Sequence, residues 1–217
     1  MDLDNFSNKE YKIKDGIPRF VVSENFTSSF GLQWNQFQKT QLDSYTNTTM
    51  SEDRIRTALP IPLESIKGLK IIEAGSGAGR FTEVLLKYGA IVYSFDLSNA
   101  VSANFANNMP HKNLTIFQGD IEDIPFNDNF FDISICLGVM QHTRDFSKSL
   151  KEISRVTRAG GVISFDHYKT HIGHYTSLYL VYWMIIKRIP KKFQLRVTNL
   201  LTKIFFPIHW VFREYSL

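Results

Sequence analysis

The middle of the chain alternates between two hydrophobic periodicities. Short apolar runs predict buried strands, and these runs are Leu69–Ala74, Ala90–Phe95, Leu114–Gln118, Phe130–Cys136 and Val162–Asp166. Apolar residues at helical spacing predict helices over Gly79–Tyr88, Asn99–Asn108 and Ser147–Thr157. Strands that alternate with helices form a parallel sheet covered on both faces. We therefore predict an α/β, doubly wound fold with a mostly parallel, Rossmann-like sheet.

The flanking segments have different patterns. Residues 1–60 mix polar and aromatic residues, with a turn signal at Asp15-Gly16-Ile17-Pro18, and are interpreted as a leader and helical cap. Residues 61–168 are the predicted core domain, and residues 169–217 are a predicted basic, aromatic-rich helical tail. No convincing sixth or seventh strand follows Asp166.

Composition limits the class of protein. With 43% hydrophobic and 21% charged residues, the chain resembles an ordinary soluble domain. Its single cysteine, Cys136, excludes an internal disulfide framework and is expected to be buried at the end of the fourth strand. The first residues do not resemble a secretory signal, and no apolar run is long enough to span a membrane, so we predict a cytoplasmic protein.

Charge is concentrated at one end. The net charge is +4, but residues 178–217 carry seven Lys/Arg against one acid, Glu214, which leaves the rest of the chain slightly acidic. A core of this kind offers no basic patch, so we do not predict nucleic acid as a partner.

The basic tail has two interpretations. Its apolar segments, SLYLVYWMII and LLTKIFFPIHWVF, flank the segment KRIPKKFQLR. They are either helices that pack on the domain and cap an acceptor pocket, or an interfacial helix pair. In the second case Trp183, Phe205 and Trp210 enter the lipid, and residues 178–217 make a peripheral contact with the inner membrane surface.

A glycine-rich loop follows the first predicted strand in the stretch IIEAGSGAGRF. Ligands of parallel sheets bind at the carboxyl ends of the strands, and Gly75, Gly77 and Gly79 let the backbone come close to a ligand. The dinucleotide fingerprint requires a third glycine where Arg80 stands, which disfavours an NAD-dependent oxidoreductase. Glu73 would oppose a diphosphate and suits a ligand with a positive centre.

Acidic residues follow the next two strands. Asp96 lies 21 residues after Gly75 and is placed to accept hydrogen bonds from ribose hydroxyls. Asp120 is placed to accept from an exocyclic amine, and Ile121 to pack on a base. The alternatives are a helix cap for Asp96 and a turn cap for Asp120. Together the groups describe a nucleoside that carries an amino acid, S-adenosylmethionine.

The chain resembles the class I S-adenosylmethionine-dependent methyltransferases of the small-molecule type. The pieces that carry the resemblance occur in the family's order over about residues 68–168, and they are IIEAGSGAGRFTEVL, SFDLSNA, FQGDIEDIPF, FFDISICLGVMQHTRD and SRVTRAGGVISF. The resemblance implies that the glycine loop cradles the methionine part, that Asp96 binds the ribose and that Asp120 and Ile121 flank the adenine. The complete predicted cofactor-binding set is Glu73, Gly75, Ser76, Gly77, Gly79, Asp96, Leu97, Asp120, Ile121, Leu137 and Gly138.

The implied activity is methyl transfer to a small-molecule acceptor at O, N or C, with S-adenosyl-L-methionine as the cofactor and no metal. His142 follows the fourth strand and is the candidate general base, although it could equally orient its loop. Trp34 and Gln36 are candidates for a helix that folds over the cofactor, and Trp34 could also lie in the core. His167, His171 and His174 have a metal-like spacing, but a polar loop is favoured.

One departure from the family leaves an alternative open. The family sheet has seven strands, of which the last two form an antiparallel pair, whereas five are found here. The sheet could therefore lack its last two strands. A truncated, methyltransferase-like protein that binds cofactor or membrane without turnover is the alternative function.

Overall fold

A computed structural model describes residues 6–7, 9–21, 28–167, 186–190, 193–194 and 196–204. The chain forms two compact units, residues 1–167 and residues 168–217. The domain boundaries predicted after residues 60 and 168 stay predictions.

Seven strands form one sheet in the order β1-β2-β5-β4-β3-β6-β7. They are β1 (Lys12–Lys14), β2 (Ile17–Arg19), β3 (Lys70–Ala74), β4 (Ile91–Asp96), β5 (Leu114–Gln118), β6 (Phe131–Cys136) and β7 (Thr157–Phe165). All neighbouring strands are parallel except β1 and β2. The five predicted core strands are confirmed as β3 to β7, although β7 begins at Thr157 rather than at Val162.

The two additional strands come from the N-terminal side of the core rather than from beyond Asp166. Asp15 and Gly16 have φ angles of 54° and 76°, which suits a two-residue hairpin turn between β1 and β2. β2 joins β5 at Arg19, whose Nη1 donates to Gln118 Oε1 at 2.7 Å. The turn signal was visible in the sequence, but strands of three residues are too short to show a periodicity.

Helices cover both faces of the sheet, as predicted. They are α1 (Ser28–Gln36), α2 (Asp43–Thr46), α3 (Met50–Ala58), α4 (Arg80–Lys87), α5 (Val101–Asn108) and α6 (Phe146–Val156). Short 3-10 turns occur at Leu63–Ser65 and Met140–His142. The three helices predicted in the core correspond to α4, α5 and α6. Asp145 caps α6, because its side chain accepts from the backbone N–H of Lys148 at 3.0 Å.

The core follows from the alternation of side chains along the strands. Ile71 and Ile72 of β3 are both buried but belong to different clusters on the two faces. The first cluster includes Leu85 of α4 and Val101 of α5, and the second includes Ile153 of α6. Each such side chain contributes about 1.5–3 kcal/mol on burial. This packing brings the carboxyl ends of β3 to β7 to one edge of the sheet.

The second unit is described in part. Residues 193–194 and 196–204 are helical, in agreement with the predicted helical tail. Trp183, Phe205 and Trp210, which carry the membrane interpretation, lie outside the described residues. Within the described part of the chain, no helix is long and apolar enough to cross a membrane.

Candidate functional site

The crevice of the sheet lies between β3 and β6. The chain runs from β3 to β4 and β5 on one side and then continues with β6 and β7 on the other. Ligands of such sheets bind where the direction changes. The glycine loop after β3 meets the loop after β6 at this point, since a Cβ on Gly75 would lie 2.2 Å from Cγ2 of Val139. Gly75 also has a φ of +75°, so both space and backbone conformation require glycine.

The glycine loop is tied to the end of β4. The backbone N–H groups of Gly75 and Ser76 donate to the carbonyl of Phe95 at 2.8 and 2.9 Å. The N–H of Gly77 donates to Asp96 Oδ2 at 3.0 Å. The predicted methionine loop and the predicted ribose carboxylate are therefore in direct contact.

Asp96 is held by a second partner. Its Oδ1 accepts from the backbone N–H and the hydroxyl of Ser98 at 2.8 and 2.7 Å. Burial raises the pKa of Asp96, while hydrogen bonds from Ser98 and Gly77 oppose the shift. The next residue, Leu97, is half-buried, and its carbonyl accepts from Gln118 Nε2 at 2.9 Å. The Asp96 carboxylate thus has a defined orientation at the end of β4.

Glu73 lies beneath the loop. Its side chain is buried, and Oε2 accepts from the hydroxyls of Thr82 and Ser94 at 2.5 and 2.8 Å. Its other oxygen, Oε1, is buried without a hydrogen-bond partner among the described residues. Burial is the main cause that raises the pKa of Glu73 to about 7. The residue was predicted as a cofactor contact, and the structure places its carboxyl group in a polar cluster inside the protein.

Asn104 completes this cluster and was not identified from the sequence. Its Nδ2 donates to Thr82 Oγ1 at 3.0 Å and to Ser94 Oγ at 2.9 Å. Its side chain also leaves no room for a Cβ on Gly79, which would lie 2.2 Å from Asn104 Oδ1. The signal available in the sequence was an amide side chain within a predicted helix that packs on the sheet. The cluster fixes the start of α4 under the glycine loop.

Asp120 stands after β5, as predicted, and both of its carboxylate oxygens have partners. Oδ1 accepts from the backbone N–H of Glu122 at 3.0 Å, and Oδ2 pairs with Arg144. Ile121 was predicted to flank the adenine, and the structure packs it into the core with Ile124. Arg144 was not identified from the sequence, because its partner lies in a different loop.

The loop after β6 carries the remaining predicted site residues. Leu137 is buried in the core, whereas Gly138 is exposed and donates its N–H to Asp166 Oδ1 at 2.5 Å. Asp166 also pairs with Arg54 of α3. His142 is exposed at the end of the 3-10 turn. The carboxyl ends of β6 and β7 thus present polar groups next to the crevice.

Helix α1 lies over the two loops that precede α4 and α5. A Cβ on Gly77 would lie 3.2 Å from Cε2 of Trp34, so the indole packs against the glycine loop. Asn35 Nδ2 donates to the carbonyl of Asn99 at 2.9 Å, and a Cβ on Gly31 would lie 3.2 Å from the Asn99 nitrogen. Trp34 was predicted to lie on a helix that folds over the cofactor; the structure packs it against the glycine loop, and its contact with a cofactor stays a prediction.

The other candidates lie apart from the crevice or outside the described residues. Gln36 is exposed and lines a groove with Tyr45. His167 is exposed and lies edge-on to Phe146, whereas residues 171 and 174 are outside the described part of the chain. Cys136 is buried, as predicted, and burial raises the pKa of its thiol to about 12.

Comparison with known proteins agrees with this geometry. Residues 72–165 match the family described as Methyltransferase domain. A demethylmenaquinone methyltransferase of Corynebacterium efficiens is 32% identical over 151 residues, which cover 67% of this chain and 63% of that protein. A ubiquinone biosynthesis O-methyltransferase of Coxiella burnetii is 30% identical over 104 residues, which cover 47% of this chain and 44% of that protein.

Among solved structures, a Methanococcus maripaludis protein assigned as an S-adenosyl-L-methionine-dependent methyltransferase superimposes with a TM-score of 0.52 and 23% identity. The match covers 85% of this chain and 88% of that protein. This likeness concerns the fold.

The sheet order and the glycine loop define a Rossmann-like α/β protein with a ligand crevice at the carboxyl ends of its strands. The matched methyltransferase domain and the curated methyltransferases similar to this chain indicate a class I S-adenosylmethionine-dependent methyltransferase. The chain spans between 44% and 63% of the length of the two curated relatives named above.

Proposed function

We propose that the chain binds S-adenosylmethionine in this crevice and transfers its methyl group to a small-molecule acceptor. The observation that carries the proposal is the Ser76 hydroxyl, which is buried in the glycine loop without a hydrogen-bond partner among the described residues. A buried polar group left unpaired costs about 1–3 kcal/mol. Because the loop adjoins the crevice and Asp96, a polar ligand there would satisfy the hydroxyl.

The residues fit this cofactor from one end to the other. At Gly75 and Gly77 the space of a Cβ is taken by Val139 and Trp34, so glycine lets the loop pack against both, and the backbone of this loop would contact the methionine part. Asp96 would accept from the ribose hydroxyls, and Asp120 from the adenine amine. Glu73 lies beneath the loop and accepts from Thr82 and Ser94, so Asp96 is the acidic group near a cofactor whose sulfur is positively charged. When bound, the cofactor supplies a methyl group activated by this charge.

A small molecule is the acceptor that the relatives favour. One relative is named for demethylmenaquinone, one for ubiquinone biosynthesis and a third for a malonyl group on an acyl carrier protein. The protein's part would be to hold the acceptor in line with the methyl group and exclude water. We propose that His142, on the loop beside the crevice, takes a proton from acceptors that must lose one.

Calorimetry with S-adenosylmethionine and S-adenosylhomocysteine tests cofactor binding, with NAD as the comparison ligand. We expect both sulfur nucleosides to bind and NAD to give no heat. An absence of heat and of any thermal shift with either nucleoside would contradict the proposal. Methyl transfer is then measured with S-adenosylmethionine that carries a radiolabelled methyl group. Phenols, amines and carboxylic acids serve as the test acceptors. His142→Ala is expected to lower turnover without changing the cofactor Kd.

We also propose a peripheral membrane contact through residues 178–217. Leu200 and Ile204 are exposed one helical turn apart, close to the basic residues Arg196 and Lys203. Flotation with phosphatidylserine-containing and pure phosphatidylcholine vesicles tests it. Binding to the anionic vesicles alone, released by salt, is the expected result. If the same amount of protein is recovered in the floating fraction with and without vesicles, the proposed membrane contact is contradicted.

A further inference from the structure

Arg144 connects two loops on opposite sides of the crevice. The strand order places β4 and β3 between β5 and β6, so the loops after β5 and β6 flank the ends of both intervening strands. Arg144, after β6, pairs through Nη2 with Asp120, after β5. Its Nε also donates to Glu122 Oε1 at 3.4 Å. One guanidinium therefore spans two carboxylates of the β5 loop, those of Asp120 and Glu122.

The two donors on Asp120 define the plane of its carboxylate. The backbone N–H of Glu122 binds Oδ1 at 3.0 Å, and Arg144 binds Oδ2. An ionised carboxylate offers about four acceptor positions. Each oxygen of Asp120 therefore keeps a lone pair, and its direction is set by the donor already in place. Without Arg144, only one of the two oxygens would be held.

Arg144 is itself held near the start of a helix. The Glu122 side chain is only 8% exposed and accepts from the backbone N–H of Asp145, the cap of α6, at 3.1 Å. The Arg144 side chain is 55% exposed, so its ion pairs contribute little to stability. Because the arrangement contributes little to folding, its main physical effect is to orient Asp120.

We propose that Arg144 is a positioning residue for purine recognition. It orients Asp120 so that the free lone pairs accept an exocyclic amine beyond β5, and it thereby sets a preference for 6-aminopurine over 6-oxopurine nucleosides. In a 6-oxopurine a carbonyl oxygen replaces the amine, and this oxygen cannot donate a hydrogen bond to a carboxylate. The inference rests on the proposed cofactor function.

The test compares S-adenosyl-L-homocysteine with S-inosyl-L-homocysteine by calorimetry. We expect the wild-type chain to prefer the adenosyl ligand. Arg144→Ala should lower the affinity for the adenosyl ligand about tenfold, because a charged hydrogen bond loses its alignment. The affinity for the inosyl ligand should fall about twofold or less. Arg144→Lys should keep part of the preference, because one ammonium can reach Asp120 but cannot fork to Glu122 as well.

Lys148→Ala is the matched control. The Lys148 ammonium lies 4.0 Å from Glu122 Oε2, so this variant removes a neighbouring positive charge that makes no ion pair with Asp120. It should keep the wild-type preference. In an Asp120→Ala background, a further Arg144→Ala change should alter neither Kd, because Arg144 acts through Asp120.

The outcomes separate the two proposals. If Arg144→Ala weakens both ligands equally, or keeps the wild-type preference, Arg144 does not position Asp120 and the inference is overturned while the cofactor function stands. If the wild-type chain binds neither ligand, the cofactor function fails and the inference falls with it. Thermal melting of each variant shows that the change in affinity is not a loss of folded protein.

Discussion

Gly75 and Val139 touch across the crevice, one on the glycine loop and the other on the loop after β6. A Cβ on Gly75 would meet Cγ2 and Cγ1 of Val139 at 2.2 and 2.9 Å. We expect Gly75→Ala to lower the free energy of unfolding by about 2–4 kcal/mol, from overpacking and a strained φ together, and to abolish S-adenosylhomocysteine binding. Urea denaturation and calorimetry measure the two effects.

Gly68→Ala is the control for this variant. Gly68 has a φ of +78°, close to that of Gly75, but nothing lies within 4 Å of a Cβ at this position. It should lose only about 1 kcal/mol and keep ligand binding. Adding Val139→Ala to Gly75→Ala should recover part of the lost stability. If the two glycine variants are equally destabilised, the contact with Val139 is unimportant.

Asp96→Asn tests the ribose end of the site. The amide can keep one acceptor oxygen for Gly77 or Ser98, but it loses the charge and half of the acceptor capacity. We expect S-adenosylhomocysteine to bind about ten- to hundredfold more weakly. Asp123→Asn, at an exposed position paired with Lys9, is a control with the same chemical change and should bind normally. Equal affinities of the two variants for S-adenosylhomocysteine would show that Asp96 does not contribute to binding.

Glu73→Gln should change the pH dependence of stability. Burial raises the pKa of Glu73 to about 7, so between its ordinary value of 4.5 and this pH the folded state holds a proton that the unfolded state releases. The free energy of unfolding of the wild type should therefore fall as the pH rises through this window, by up to about 3 kcal/mol, and level off above it.

The glutamine has no proton to release, so Glu73→Gln should lose most of this slope. Burial also raises the pKa of Asp96, so both proteins keep a contribution of the same sign from this group. Urea denaturation at pH 4 should give similar stabilities for the two proteins, and at pH 8 the variant should be the more stable one. Parallel profiles from pH 4 to pH 8 would show that Glu73 does not carry this effect.

Trp34→Ala tests the cover over the glycine loop. The indole packs against Gly77, and its removal would open that side of the loop to water. We expect the affinity for S-adenosylhomocysteine to fall about tenfold, while Trp34→Phe keeps most of it. Leu32→Ala, on the same helix with a side chain that is 70% exposed, should have no effect. Unchanged affinity in Trp34→Ala would mean that α1 covers the loop without contributing to binding.

The core strands could be predicted because each is a short apolar run, and burial on both faces requires such a run. The edge hairpin could not, because each of its strands has only three residues and pairing with β5 depends on Arg19 reaching Gln118. The turn signal at Asp15 and Gly16 was the only local indication of it.

Some residues of the candidate site could likewise be located from the sequence, whereas others required the structure. Asp96 and Asp120 could be located because they lie at or just after the carboxyl ends of strands that share one edge of the sheet. The role of Arg144 could not be inferred, because its partner Asp120 is 24 residues away and the two meet only through the crossing of the chain. The orientation of Glu73 also depended on packing, since Thr82 and Ser94 draw its carboxyl group beneath the loop.

The sequence by itself determined the order of strands and helices, the position of the glycine loop and the acidic residues at the strand ends. These features depend on local periodicity and on which residue types tolerate a given backbone conformation. The tertiary structure alone decided which loops meet, which acids are buried and which cation orients Asp120. Those relations are contacts between segments far apart in the chain, and they form only when burial of the apolar faces brings the segments together.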